Sequence, residues 1–214
     1  MPGLPPHEHG SEPGCVDDIR ANLAKANPGM IYRPVRQGAT LDWGKDLKVT
    51  VIWPPVDGIL FLENKNRMKR DTPWHHLINA NAIGLRVEFG ETVFQIMGDI
   101  QEDYEAKFLL PKLPPEWRKV DVLLPCSHGI HATKEEAEFF RPKIAVGCCY
   151  EDGAPAGWSR TWADNLPIRA VYGAVGAEAY VSGIDGNVTV ISDGKKCRVE
   201  TEFGKNRRTN PFRR

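Results

Sequence analysis

Three short runs constrain this chain most: Thr92–Met97, Val120–Leu124 and Ile144–Cys148. Each is too brief to span a membrane, and the first two are followed by a stretch with helical spacing. Val120–Leu124 is continuously apolar and bounded by Pro125, as in a strand buried on both faces of a sheet. The spacing predicts a helix over Gln101–Leu110. A second is predicted over Thr133–Phe140, opened by Thr133 with Glu136 three residues on as a capping box. The middle of the chain therefore reads strand, helix, strand, helix, strand, the alternation of a mixed α/β domain.

The flanks extend that reading. Leu47–Trp53 is rich in β-branched residues, and Ile83–Phe89 alternates apolar with polar before a Gly90-Glu91 turn leads into Thr92–Met97 as a hairpin. Between them, Glu63–His76 is polar, basic and without periodicity, which predicts a long loop. Upstream, Val16, Ile19, Leu23 and Ala26 recur at helical spacing and stop at Asn27-Pro28-Gly29, with Met30-Ile31-Tyr32 as a short strand. Met1–Gly14, dense in Pro, Gly, His and Glu, predicts a loop. Downstream, weaker strands are predicted at Ile168–Val171 and Ala177–Val181. Turns at Asp185-Gly186 and Asp193-Gly194 then frame Val188–Ser192 and Cys197–Thr201 in a meander. Lys205–Arg214, with five basic residues, reads as a solvated tail behind a single domain over residues 1–204.

Composition narrows the function classes. With 28 Lys plus Arg against 28 Asp plus Glu, no whole-molecule field draws the chain toward nucleic acid or an acidic partner, so any charged site is local. No apolar run reaches the roughly 20 residues of a membrane span, and Met-Pro-Gly-Leu-Pro-Pro lacks the pattern of a secretion signal. Five scattered cysteines, an odd number, fit a reduced compartment, and the expected location is cytoplasmic. Cys126, Cys148 and Cys149 lie on or beside apolar strands and read as core.

Two residues are placed for chemistry. Asp99 follows a strand directly through Gly98, and His128 follows a strand through Pro125-Cys126-Ser127 and precedes Gly129. If both strands share a sheet, both side chains lie at its carboxyl edge and open into one crevice, where a hydrolytic metal centre would need them. Asp99 with Glu102 also reads as a helix N-cap, and that alternative stays open on spacing alone.

At this point a family resemblance appears. Asn81–Gly90, Thr92–Asp99, Glu105–Leu110 and Val120–Gly129 resemble, in that order, the later half of the metallo-β-lactamase-type hydrolase domain of ComEC-type competence proteins. There an Asn-containing segment leads into a hairpin ending in Gly-Asp. A helix with an Ala-Glu or Glu-Ala pair follows, then a buried strand ending in His-His-Gly-Ser. Here that last element is Ser127-His128-Gly129-Ile130, so one histidine and the serine are absent. Gly38–Pro55, with Gly44, resembles the preceding segment, and Ala179–Val181 through Ser192-Asp193-Gly194 resembles a closing hairpin. The implied fold is a metallo-β-lactamase-like αββα sandwich, incomplete in its N-terminal half.

The resemblance also implies a metal site. Most ligands in the family come from a His-x-His-x-Asp-His stretch ahead of a helix, and the matching stretch here is His7-Glu8-His9-Gly10-Ser11-Glu12. His7 and His9 match, while Ser11 stands in the Asp position and Glu12 in the His position. The implied ligand set is His7, His9, Glu12, Asp99 and His128, holding one or two Zn2+ or Mn2+ ions. His75, His76 and His131 are weaker candidates as replacement ligands. The implied activity is metal-dependent hydrolysis of a phosphodiester or nucleic-acid-like substrate, weakened by the two changed ligands, with Asp99 and His128 as catalytic residues. The alternative is a degenerate module that keeps the fold without catalysis. A further expectation is phosphate-backbone contact through Lys65, Arg67, Lys69 and Arg70 in the long loop and through the basic tail.

Overall fold

The computed structural model describes residues 21–31, 35–56, 79, 81–100, 108–129, 132–148 and 167–204. Within them lies a mixed α and β architecture built on a seven-stranded sheet. Its strands are β1 (Thr40–Leu41), β2 (Leu47–Trp53), β3 (Gly84–Phe89), β4 (Thr92–Ile96), β5 (Val122–Leu124), β6 (Ile144–Gly147) and β7 (Glu178–Val181). They stand side by side in sequence order. The first four pair antiparallel and β4 to β7 pair parallel, so the sheet changes character at β4.

That change follows from the connections. The two-residue turn Gly90-Glu91 reverses the chain and yields an antiparallel pair, with Phe89 opposite Thr92. A parallel neighbour needs a crossover, and helices α1 (Lys134–Phe140) and α2 (Pro167–Ala174) lie between β5, β6 and β7. Thr133 opens α1 as predicted, its hydroxyl oxygen accepting from the Glu136 backbone N–H at 3.0 Å. The core lies between helices and sheet, where Ile52, Trp53, Met97, Leu123, Cys126, Ala137, Phe140, Ala145, Ile168 and Tyr172 pack together.

The C-terminal segment differs from the expected meander. Ile168–Val171 belongs to α2, not to a strand, because Ile168 and Tyr172 recur at helical spacing and are both fully buried. Its β-branched residues favour a strand locally, but burial along one helix face decides. β7 joins the large sheet parallel to β6, and the helical turn α3 (Ser182–Asp185) then redirects the chain. Only β8 (Val188–Ser192) and β9 (Cys197–Thr201) form a hairpin of their own, as a separate two-stranded sheet. That hairpin docks on the β3–β4 turn. Gly194 O accepts from Glu91 N at 2.6 Å, and the Thr92 and Ser192 hydroxyls meet at 2.7 Å.

Two smaller expectations also change. Residues 21–26 are helical, but Met30 and Ile31 form no strand and are exposed. Cys126 is buried as expected, whereas Cys148 falls one residue past β6 and is exposed. Among the described residues, no helix is long and apolar enough to cross a membrane.

Candidate functional site

The carboxyl ends of β4 and β5 lie side by side. Their parallel register puts Ile96 opposite Leu124, and Met97 N donates to Leu124 O at 3.0 Å, carrying the pairing one residue further. Each strand then turns sharply. Gly98 has φ of +67°, and a Cβ there would stand 3.0 Å from the Ile83 carbonyl oxygen, so the turn that delivers Asp99 favours glycine twice over.

The turn after β5 has a stronger signature. Ser127 (φ 49°), His128 (φ 60°) and Gly129 (φ 82°) are three successive residues in left-handed backbone. For Gly129 this costs little, whereas for Ser127 and His128 it costs on the order of 1–3 kcal/mol each. The surroundings hold them there. Ser127 Oγ donates to Ile100 O at 2.9 Å, a buried bond that ties the turn after β5 to the segment after β4. His128 O accepts from Cys148 N at 2.9 Å. Cys126 N donates to Glu136 Oε1 at 3.2 Å, and the Tyr172 hydroxyl donates to Glu136 Oε2. Glu136 is fully buried, so its carboxylate anchors the start of the turn from within the core.

These contacts bring the two predicted residues together. His128 Nε2 lies 3.5 Å from Asp99 Oδ1, with side-chain exposures of 54% and 37%. The separation exceeds the ~2.9 Å of a well-formed hydrogen bond, so both groups keep capacity for a third partner. A carboxylate and an imidazole that both reach solvent at adjacent strand ends can accept, donate or pass a proton, and can share a cation.

His7, His9 and Glu12, the other expected ligands, lie outside the described residues, as do His75, His76 and His131. Lys65, Arg67, Lys69 and Arg70, the basic tail, and residues 101–107 lie outside them too. The first part of the helix that Asp99 would cap therefore lies outside the described residues, while residues 108–110 at its expected end are helical. Among the described residues, no three His, Cys, Asp or Glu side chains are grouped to hold one ion. Asp99 and His128 are two donors of a kind that Zn2+ or Mn2+ accepts.

Sequence reasoning missed the supports. Ser127 carried no signal beyond its place before His128. By sequence Glu136 reads only as part of a cap, and Tyr172 lies just past a stretch that reads as a strand. The one available hint was a carboxylate in an otherwise apolar helix face beside Ala137 and Phe140. Comparison with known proteins finds no matching family model, no matching curated protein and no matching solved structure.

Proposed function

We propose that this chain is a metal-dependent hydrolase domain of the metallo-β-lactamase type, an incomplete αββα sandwich acting on phosphodiester or nucleic-acid-like substrates. The observation that supports it is the meeting of Asp99 and His128, at 3.5 Å, beyond the carboxyl ends of two adjacent parallel strands. The motif order, hairpin to Gly-Asp and buried strand to His-Gly, agrees with that reading.

Asp99 and His128 would hold the ion, with His7, His9 and Glu12 completing the set from outside the described residues. A bound Zn2+ or Mn2+ supplies Lewis acidity toward water and a phosphoryl oxygen. Asp99 contributes a fixed negative charge that accepts hydrogen bonds and orients what binds beside it. His128 would offer Nε2 as the second donor, 3.5 Å from Asp99 Oδ1.

A second reading is a degenerate module without catalysis, supported by Ser11 and Glu12 standing where the family's motif has Asp and His. Metal content of the purified protein and hydrolysis of a generic phosphodiester with added Mn2+ or Zn2+ separate the two. The expected result is weak turnover that falls to background in Asp99→Ala and His128→Ala. Absence of both metal and turnover in the parent would overturn the hydrolase reading in favour of the module.

A further inference from the structure

The opposite edge of the sheet holds a cavity of about 430 Å³. It forms where the amino ends of the parallel strands meet the β8–β9 hairpin. Asp121, Lys143, Ile144, Glu178 and Tyr180 line it from the sheet, and Lys195, Lys196, Cys197 and Arg198 from the hairpin. It is separate from the Asp99–His128 pair, which sits past the carboxyl ends of β4 and β5.

Four cations face two carboxylates across this cavity, and both carboxylates are engaged. Asp121 is almost fully buried, with Oδ2 accepting from Val93 N at 2.9 Å and Oδ1 paired with Lys143 Nζ at 2.8 Å. Glu178 Oε2 accepts from the Tyr180 hydroxyl at 2.8 Å. The Cys197 thiol adds no charge, since burial and then the nearby Asp121 push its pKa up. Lys143 stays cationic, its pKa raised by its hydrogen bond to Asp121 and by that carboxylate's charge.

Two cations are left over. Arg198 is paired with Glu200, but the ammonium groups of Lys195 and Lys196 make no salt bridge among the described residues. Their backbone is nonetheless ordered. The N–H groups of both residues donate to Asp193 Oδ1 at 2.8 Å, and these bonds, Lys196's first, hold the Asp193 carboxyl below its usual range. The turn therefore presents the Lys195 and Lys196 ammonium groups, without a salt bridge among the described residues although Lys196's charge also acts on Asp193, at the rim of a cavity lined by one aromatic ring, Tyr180.

We propose that this cavity binds a phosphate monoester of nucleoside-monophosphate size, with Lys195 and Lys196 on the phosphate and Tyr180 beside the base. The volume exceeds what inorganic phosphate fills and lies in the range of small-ligand pockets. Two ammonium groups contacting one dianion are the recognition chemistry of a phosphate. The monoester comes either as a free nucleotide or as the 5′ end of a nucleic acid.

Binding of AMP, adenosine and a 5′-phosphorylated oligonucleotide to the full chain tests this, by titration calorimetry and by amide shifts over residues 193–199. AMP should bind saturably, adenosine should not, and rising salt should weaken the complex. The double variant Lys195→Ala/Lys196→Ala, at two exposed positions, should lose about tenfold or more in affinity while keeping the amide shifts of β4 to β6. Tighter binding of the oligonucleotide than of AMP would assign the ligand to a nucleic-acid end, and the reverse to a free nucleotide. AMP binding no better than adenosine, or AMP affinity unchanged in the double variant, would overturn the proposal.

Discussion

Ser127 and His128 each occupy left-handed backbone without being glycine, and the Ser127 hydroxyl makes the buried bond to Ile100 O. Backbone cost and side-chain gain can be separated at this residue. Ser127→Ala keeps the strain and leaves the Ile100 carbonyl without its donor, a loss of about 1–3 kcal/mol. Ser127→Gly loses the same bond but removes the steric penalty, which is about 1–2 kcal/mol. The glycine variant should therefore be the more stable of the two by about 1 kcal/mol in urea unfolding. Equal midpoints would show that the turn carries no strain at this position.

Helix α2 shows how one element is set by its contacts. Its Ile168 packs where β6 and the His128 turn come closest, and a Cβ on Gly147 would stand 2.8 Å from Ile168 Cδ1 and 3.1 Å from His128 O. Gly173, on the same helix, has open space around it. Opposite effects follow from the same substitution. Gly147→Ala should destabilise by about 1–3 kcal/mol through overpacking, and should disturb the His128 turn. Gly173→Ala should stabilise by about 0.5–1 kcal/mol, by lowering the backbone entropy lost in a helix. Thermal unfolding of both variants checks this, and a loss of stability in Gly173→Ala would contradict the helix placement.

Across the whole molecule, the β8–β9 hairpin reaches the main sheet through a very close approach of two glycines. A Cβ on Gly90 would collide with the Gly194 backbone beside the Glu91 N to Gly194 O bond. Backbone cannot yield as a flexible side chain can, so Gly90→Ala should lift the hairpin away from the β3–β4 turn. Hydrogen exchange should then show reduced protection in Val188–Ser192 and Cys197–Thr201, with β4 to β6 still protected. Uniform loss across all strands would mean that the hairpin and the sheet open as one unit. Because the hairpin supplies half the lining of the cationic cavity, the same variant should weaken AMP binding, whereas the Asp99–His128 edge should be unaffected.

Local chemistry was enough for several elements. Leu47–Trp53, the Gly90-Glu91 hairpin, Val120–Leu124 and the Thr133 cap were legible because strand burial, tight turns and capping depend on residues close in sequence. It also placed Asp99 and His128 each just past a strand, since Gly98 and Gly129 mark the turns. Tertiary structure alone decided that Ile168–Val171 is helix, because only contact with β6 and the core outweighs the β-branched preference. It also decided that β4 and β5 are parallel neighbours, which turns two separate strand ends into one edge with Asp99 and His128 in contact. Glu136 shows the same limit most directly. Its spacing from Thr133 is a local fact, but burial of its carboxylate against Cys126 N and the Tyr172 hydroxyl requires a partner 36 residues away that no local pattern specifies.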